Sequence, residues 1–152
     1  MKESLLKAWV IHNDKNILLL NNLEESALAL RSAPKSRNIG EQLVHMHNTR
    51  ITWTGHVARN IYDKSLLLDK SSSPSAQQLM TAFRSSAQKI EEIIHTSWEK
   101  EGKLPSFKTG LIPFISYLVS HESHHRGNIL LTLKLQGIKL PDASKWSLWE
   151  WV

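Results

Sequence analysis

Cysteine is absent from the 152 residues of this chain. Its absence excludes disulfide bonds, thiolate zinc sites and a cysteine nucleophile, so the eight histidines are the candidate metal ligands of borderline softness. Long apolar runs are also missing, since no window approaches the roughly 20 apolar residues that a membrane-spanning helix needs. Residues 1–4 include an acid and lack the apolar core of a secretory signal, so we expect a cytoplasmic protein without a membrane partner.

The chain also lacks a cluster of like charges. Lysine and arginine outnumber aspartate and glutamate by 19 to 14, yet the basic residues are scattered along the chain rather than gathered into a stripe or tail. We therefore interpret the formal charge of +5 as a solvated basic surface and expect no nucleic-acid partner. The 41% hydrophobic content is that of an ordinary globular protein, and the length predicts one domain, residues 1–152.

Four stretches have the length and apolar spacing of amphipathic helices, and none is typical of a strand. The predicted helices cover residues 4–30, 39–61, 75–100 and 111–136. Residues 64–74 end in three serines and a proline and are predicted to form a loop. The tail, residues 138–152, carries Trp146, Trp149 and Trp151 but no reliable periodicity, so we expect a strap over the bundle. The pattern predicts an all-α four-helix bundle with a short C-terminal strap.

Two histidines on the fourth predicted helix are four residues apart. Residues at that spacing lie one above the other, with Cβ atoms about 5–6 Å apart, which lets two imidazoles reach one metal ion. His121 and His125 also interrupt the apolar stripe that includes Leu118 and Ile129. A neutral imidazole there needs a hydrogen-bond partner, and a charged one is costly. A metal ion or ordinary hydrogen bonds would each satisfy the pair, and the spacing alone leaves both interpretations open.

Residues 121–125, His-Glu-Ser-His-His, also match the zinc-protease pattern H-E-x-x-H, in which Glu122 would be the general base. The longer form of that pattern fails, because Gly127 comes one residue too early and no histidine follows Arg126. A five-residue pattern also arises by chance in a histidine-rich helix. We therefore rank the protease hypothesis below a metal site of another kind.

The fourth helix and its exit carry a family resemblance. HESHHRGN at residues 121–128, followed by LQGIKLP at residues 135–141, resembles the fourth-helix signature of the DinB-like, YfiT-related metal-binding bundles. IGEQLVHM at residues 39–46, with Trp53 eight residues after its histidine, resembles that family's second helix. LWEW at residues 148–151 is similar to tails in the family. The matches extend from about residue 39 to the C-terminus.

The match is incomplete at two places. The first helix agrees with the family only in its length and its early Trp9, and Asn128 stands where the family usually has glutamine. The resemblance implies an up-down bundle in which one histidine of helix 2 and two of helix 4 bind a divalent metal ion, zinc or nickel. On this sequence the implied ligands are His45, His121 and His125.

The helix 2 ligand is a choice between two histidines. His47 lies nearer the centre of the apolar face of the predicted helix, whereas His45 falls at its edge. Residues two apart point in nearly opposite directions, so we do not expect both at one ion. We follow the resemblance and predict His45, with His47 as the substitute.

Three neutral histidines leave a fourth coordination position open, which is the arrangement of catalytic metal sites. The resemblance implies a metal-dependent enzyme with a small-molecule substrate, such as a thiol S-transferase in which the metal activates a low-molecular-weight thiol, or else water. One alternative is a non-enzymatic metal-binding or stress-response bundle. The other is a metal-dependent hydrolase of the H-E-x-x-H type.

Two expectations concern residues away from the proposed ligands. His12, Asn13 and Asn16 are interpreted as the solvated side of helix 1, although they would also suit the wall of a metal cleft. His124 is interpreted as a surface or supporting residue.

The tryptophans predict an assembly. Six tryptophans are many for a chain of this length, and large apolar patches tend to mark interfaces. The resemblance also implies pairing, so we expect a homodimer. The alternative is that the three tail tryptophans simply cap the end of the bundle.

Overall fold

The computed structural model describes residues 1–69 and 71–151. Lys70 of the predicted loop and Val152 of the predicted strap lie outside the described residues. The four long helices are α1 (Lys2–Asn21), α2 (Ile39–Val57), α3 (Ala76–Trp98) and α4 (Leu111–Leu135). A short helix, α5 (Asp142–Ser147), follows them, and the described residues contain no strand. The prediction of an all-α bundle is confirmed, and none of the described helices is both long and apolar enough to cross a bilayer.

Helix α2 begins at a capping box. The Asn38 side chain accepts a hydrogen bond from the Glu41 backbone N–H at 2.7 Å, and the Glu41 carboxylate accepts one from the Asn38 N–H at 2.6 Å. Ser75 and Gln78 form the same arrangement before α3. Each box satisfies two backbone N–H groups that the start of a helix leaves unpaired. The start of the helix that carries His45 is therefore fixed by its own sequence.

Helix α1 is shorter than predicted. It ends at Asn21 rather than near residue 30, and Glu25–Ala29 forms a separate 3-10 turn. The Asn22 side chain donates to the Leu18 carbonyl at 2.8 Å, which replaces the backbone bond of a continuing helix. Asparagine competes for backbone groups in this way, so the Asn-Asn pair was the stop signal. Helix α2 likewise ends at Val57 rather than near residue 61.

The tail differs from the predicted strap in its structure and contacts. It contains the short helix α5, and Leu140 and Leu148 pack into the core with 7% and 6% exposure. Trp146 and Trp149 are instead 70% and 76% exposed. The tail is therefore held by its leucines, and these two tryptophans face solvent.

The interior consists of two apolar clusters separated by polar side chains. One cluster includes Leu20, Leu43 and Leu133, and the other includes Trp9 and Phe114. Along each long helix at least one buried polar residue falls between the two clusters. We call these residues the polar layer: His12, Asn13, Asn16, Arg50, Ser86, Glu122 and Arg126. On α4, His121 directly precedes Glu122 and His125 directly precedes Arg126, so two of the predicted ligands adjoin this layer.

The predicted orientation of α1 is wrong at its centre. Val10 is 41% exposed, whereas Trp9 is fully buried. His12, Asn13 and Asn16 face the interior rather than solvent. The reason is that the partners of this helix at that height are charged side chains, so its polar face is the one that packs inward.

Candidate metal centre

Helices α2 and α4 bring the three predicted ligands together. His121 and His125 lie one turn apart on α4, and His45 of α2 lies against both. The potential ligand atoms of the three side chains all lie within 4.8 Å of one another. The ring centroids are 4.8, 4.9 and 5.1 Å apart, and the Nε2 atoms of His45 and His121 are separated by 3.2 Å.

These distances fit a divalent metal ion. Histidine nitrogens bind zinc at about 2.0–2.1 Å, so two nitrogens at tetrahedral positions lie roughly 3.3 Å apart. The 3.2 Å between the Nε2 atoms of His45 and His121 is close to that value. The donor set is also suitable, because neutral imidazole binds zinc, nickel and copper well.

His125 is oriented by Gln42 of α2. Its Nδ1 atom lies 3.3 Å from the Gln42 side-chain oxygen. An amide oxygen only accepts hydrogen bonds, so Nδ1 carries the hydrogen and Nε2 retains its lone pair. Metal-binding histidines commonly make such a second contact, which fixes both the tautomer and the ring orientation.

The protonation states suit a metal site. Burial lowers the pKa of His121, and the nearby Arg37 charge acts in the same direction. Burial together with the neighbouring histidines His121 and His45 lowers the pKa of His125 to about 4. Both rings are therefore neutral at neutral pH, which is the form that binds a metal ion.

His47, the substitute for the helix 2 ligand, lies elsewhere. It is fully buried, its Nε2 is 2.7 Å from the Leu66 carbonyl oxygen, and its ring lies near Phe83. Its position near the centre of the buried face agrees with the helical geometry of the sequence. Because His47 lies at the centre of the buried face of α2, it does not reach the groove between α2 and α4. His45, at the edge of that face, lies in this groove.

Glu122, the acid of the H-E-x-x-H pattern, is fully buried in the polar layer. Its Oε1 accepts from Arg50 Nε at 2.6 Å, and its Oε2 accepts from Arg50 Nη2 at 2.6 Å. Oε2 also accepts from Asn16 Nδ2 at 2.7 Å and lies 2.9 Å from His12 Nε2. Burial alone would raise the pKa of Glu122, but the Arg50 charge and these hydrogen bonds hold it well below its ordinary range. Both oxygens are engaged, so Glu122 is poorly placed to accept a proton from water.

Arg50 is the centre of the polar layer. Besides Glu122, its guanidinium donates to Asn13 Oδ1 at 2.8 Å and to the Phe83 carbonyl at 3.1 Å. It also lies 4.8 Å from the ring centroids of Trp9 and Phe83. The carboxylate, the hydrogen bonds and the two aromatic faces together offset the cost of burying this charge.

The remaining polar residues complete the layer. Arg126 donates to Asn16 Oδ1 at 2.7 Å. Burial lowers the pKa of His12, and this effect exceeds the opposing effect of its bond to Glu122. His12 is therefore a neutral donor to the carboxylate. The polar residues of α1 thus support the residue that follows His121 rather than the ligands themselves.

The open side of the centre is partly aromatic. Tyr117 stacks on His121 with a centroid distance of 6.0 Å, and Trp53 Nε1 donates to the Tyr117 hydroxyl at 3.3 Å. His124 is exposed and pairs with Asn128 at 3.0 Å, in agreement with the expectation of a surface residue. His56 and His95 are also exposed and lie outside the cluster.

Sequence reasoning missed Arg50 and Gln42. Arg50 follows Leu43 and Met46 at helical steps on the buried stripe of α2, so a lone arginine on an apolar face was the available signal. A buried arginine requires a buried acid, and Glu122 on α4 meets that requirement. Gln42 carries no comparable signal, because its role depends only on the ring that α4 places beside it.

The comparison with known proteins agrees with this architecture. The sequence model of the DinB family matches residues 1–150. The chain belongs to the DinB family. A DinB chain of known structure, a DinB-like protein from Bacillus cereus ATCC 10987, shares 19% sequence identity with it. Their TM-score is 0.69, over 91% of this chain and 95% of the other, which shows a common fold. A search of curated proteins finds no match.

Proposed function

We propose that this DinB protein binds one divalent metal ion, zinc or nickel, through His45, His121 and His125 and uses it in an enzymatic reaction. In the proposed reaction the thiolate of a low-molecular-weight thiol, its proton having passed to water, would form a carbon–sulfur bond to a small electrophile, whose leaving group would depart with the electrons of the broken bond. The observation that carries the proposal is the composition of the ligand cluster. Among the described residues it consists of three histidines, without a fourth protein ligand. That composition is typical of a catalytic rather than a structural metal site.

A metal ion bound there would favour the deprotonated form of a thiol or of water. The residues of the chain would provide the setting for that chemistry. His45, His121 and His125 would hold the ion, and Gln42 keeps the His125 ring in its binding orientation. Tyr117 and Trp53 form an apolar wall beside His121, against which an electrophile would pack.

The test combines metal analysis with a screen of thiols and electrophiles. The purified protein should hold one zinc or nickel ion per chain, and His121→Ala and His125→Ala should each abolish that stoichiometric uptake. His124→Ala is the matched control, because it removes an exposed histidine from the same turn. The wild-type protein should consume a thiol only when both metal and electrophile are present. Equal metal retention by the two ligand variants would contradict the site, whereas metal binding without turnover would favour the non-enzymatic alternative.

We also propose that the protein is a homodimer. Exposed apolar side chains collect at the C-terminal end of α4 and in the tail, where Leu131 is 50%, Ile138 39% and Trp149 76% exposed. Ile138 and Trp149 line one groove, and a second copy would cover both by twofold pairing. Light scattering at micromolar concentration should give twice the 17.4 kDa chain mass. Trp149→Ser should shift it toward the monomer, and Ile112→Ser, at the opposite end of α4, should not.

A further inference from the structure

We propose that Lys35 and Arg37 form an anion-binding subsite beside the metal centre, which selects small ligands that carry an oxyanion group in addition to their metal-coordinating atom. This inference rests on the proposed function. It adds a prediction of the chemical class of the ligand, because a thiol that carries an anionic group and a neutral thiol would differ in their affinity for the same metal site.

A cavity of about 340 Å³ lies beside His45 and carries this subsite. His45 contributes to its lining, so the cavity opens directly beside a proposed metal ligand. Three cationic side chains, Arg31, Lys35 and Arg37, line it from the segment that leads into α2, and Glu41 is the single acid of its lining.

Two of those cations are available to a ligand. The Arg31 guanidinium donates to the Ser36 carbonyl at 3.3 Å and lies 4.0 Å from the Glu41 carboxylate. Glu41 is also engaged in the capping box of α2. In the described part of the chain, by contrast, neither Lys35 nor Arg37 has an ion-pair partner. The cavity therefore has an excess of positive charge.

Hydrogen bonds hold the segment that carries these cations in a defined turn. The Ser36 hydroxyl donates to the Ala33 carbonyl at 2.8 Å and accepts from the Ala33 N–H at 3.0 Å. The Ile39 N–H donates to the Leu30 carbonyl at 2.9 Å and closes the turn. Lys35 and Arg37 flank Ser36, so their backbone positions relative to His45 are fixed. Only the two exposed side chains would then lose freedom when an anion binds, so the entropic cost is lower than for cations on a flexible backbone.

Charged and aromatic residues lie at opposite ends of the groove between α2 and α4. Arg37 and the proposed ligand His45 line the same cavity. At the other end of the groove, Tyr117 and Trp53 present aromatic surface. Helices α2 and α4 run antiparallel, since His45 meets His125 while Trp53 meets Tyr117. A ligand at the metal would therefore place its anionic group toward Arg37 and its apolar part toward Tyr117.

The experiment measures thiol binding to the cobalt-loaded full-length protein. Three small thiols of similar size are titrated, namely 2-mercaptoethanesulfonate, 2-mercaptoethanol and cysteamine, and the sulfur-to-cobalt charge-transfer band gives each Kd. The sulfonate is chosen because it coordinates metal ions poorly, so that its charge acts through the protein. The wild-type protein is compared with the Lys35→Gln/Arg37→Gln variant. Arg84→Gln is the control, because Arg84 is an exposed arginine of α3.

The anionic thiol should bind more tightly than the neutral one, and the cationic thiol least tightly. In the Lys35→Gln/Arg37→Gln variant the affinity for the anionic thiol should fall by roughly threefold to tenfold, because each exposed charge pair contributes modestly. The affinity for 2-mercaptoethanol should stay within about twofold of wild type, and the preference should shrink in high salt. Equal affinities for the three thiols, or a preference that survives in this variant, would overturn the subsite alone. Absence of a charge-transfer band with every thiol would overturn the proposed thiol chemistry and the subsite with it.

Discussion

His121 and Glu122 are neighbours on α4, yet their environments are opposite. His121 is partly exposed and meets His45 and His125 at the groove between α2 and α4. Glu122 is fully buried, and side chains from α1 and α2 engage both of its oxygens. His121 therefore belongs to a partly exposed set of potential metal ligands, whereas Glu122 connects α4 to the rest of the bundle.

The difference explains how a bundle can hold an open metal site in a fixed position. His121 and His125 are carried by α4, so the direction in which they point depends on the rotation of that helix. Glu122 determines that rotation, because its carboxylate meets the Arg50 guanidinium at two points of 2.6 Å each. A buried ion pair contributes little net stability, but removing one partner is costly. We infer that the polar layer serves chiefly to position α4.

The largest predicted effect is that of Glu122→Gln. The substitution removes the only buried carboxylate of the polar layer and leaves Arg50 charged without its counter-ion. We expect the free energy of unfolding to fall by about 3–5 kcal/mol, as when a buried pair loses one partner. Urea unfolding followed by circular dichroism measures the change.

Glu99→Gln is the control for that variant. It removes the partner of Lys2 from an exposed ion pair at 3.0 Å, which should change the unfolding free energy by about 1 kcal/mol or less. Glutamine has the same shape and keeps one oxygen that accepts from Arg50, so any Glu122→Gln protein that remains folded should hold α4 in place and keep its metal content. A variant as stable as wild type, or metal-dependent peptide cleavage that this substitution abolishes, would contradict the assignment of Glu122 to the polar layer.

The sequence was informative where local chemistry decides the structure. The apolar spacing and the Gly and Pro breakers placed the four long helices, and the four-residue spacing identified His121 and His125 as a pair. His45 required the family resemblance, because its position at the edge of the α2 face gives no signal of its own. The polar layer was not predicted. The bonds between its helices join residues far apart in the chain, for example Arg50 to Asn13 at 37 positions and Arg50 to Glu122 at 72, and no local pattern contains such partners.

The next largest effect separates the two histidines of α2. His45→Ala should lose stoichiometric zinc or nickel while changing stability little, because His45 is only partly buried. His47→Ala should keep the metal but lower the unfolding free energy by about 1–3 kcal/mol, since it leaves the Leu66 carbonyl without its partner and opens a cavity beside Phe83. Metal analysis and urea unfolding of both variants test the pair, and metal loss in His47→Ala alone would reverse the assignment.

A smaller effect is expected at Gln42. Gln42→Ala removes the oxygen that accepts from His125 Nδ1 and leaves the three ligands in place. Loss of such a supporting contact typically weakens metal binding by about tenfold to a hundredfold, and the long 3.3 Å bond favours the lower value. Competition with a chromophoric chelator measures the affinity. Gln88→Ala, an exposed position of α3, serves as the control, and unchanged affinity in Gln42→Ala would show that the ring is held by other contacts.

The smallest effect is the pH dependence of the metal-free protein, in which the two regions should titrate in different ranges. The pKa of His125 is lowered from 6.5 to about 4 in the folded state. Between those values the unfolded chain binds more protons than the folded protein, so stability falls as the pH is lowered from about 6.5 to about 4. His12, His47 and His121 are shifted in the same direction and add to this loss. Glu122, with its lowered pKa, stabilises the fold above its unfolded value of 4.5, and this contribution is lost only as the pH falls below that value.

Two variants test which residue is responsible for the loss of stability in each pH range. His125→Asn should flatten the stability profile between about pH 6.5 and 4 and leave the steeper loss at lower pH, because the asparagine side chain does not titrate in this range. Glu122→Gln should start from a lower stability and show a smaller loss below pH 4.5, since its carboxylate is gone while Asp63, Asp69 and Asp142 remain. Thermal melts across the pH series, recorded with a chelator present, measure both profiles. The division between an open ligand set and a closed polar layer would be wrong if His125→Asn changed the stability profile below pH 4.5 and Glu122→Gln changed it above pH 4.5. The two regions would then titrate in the same pH range.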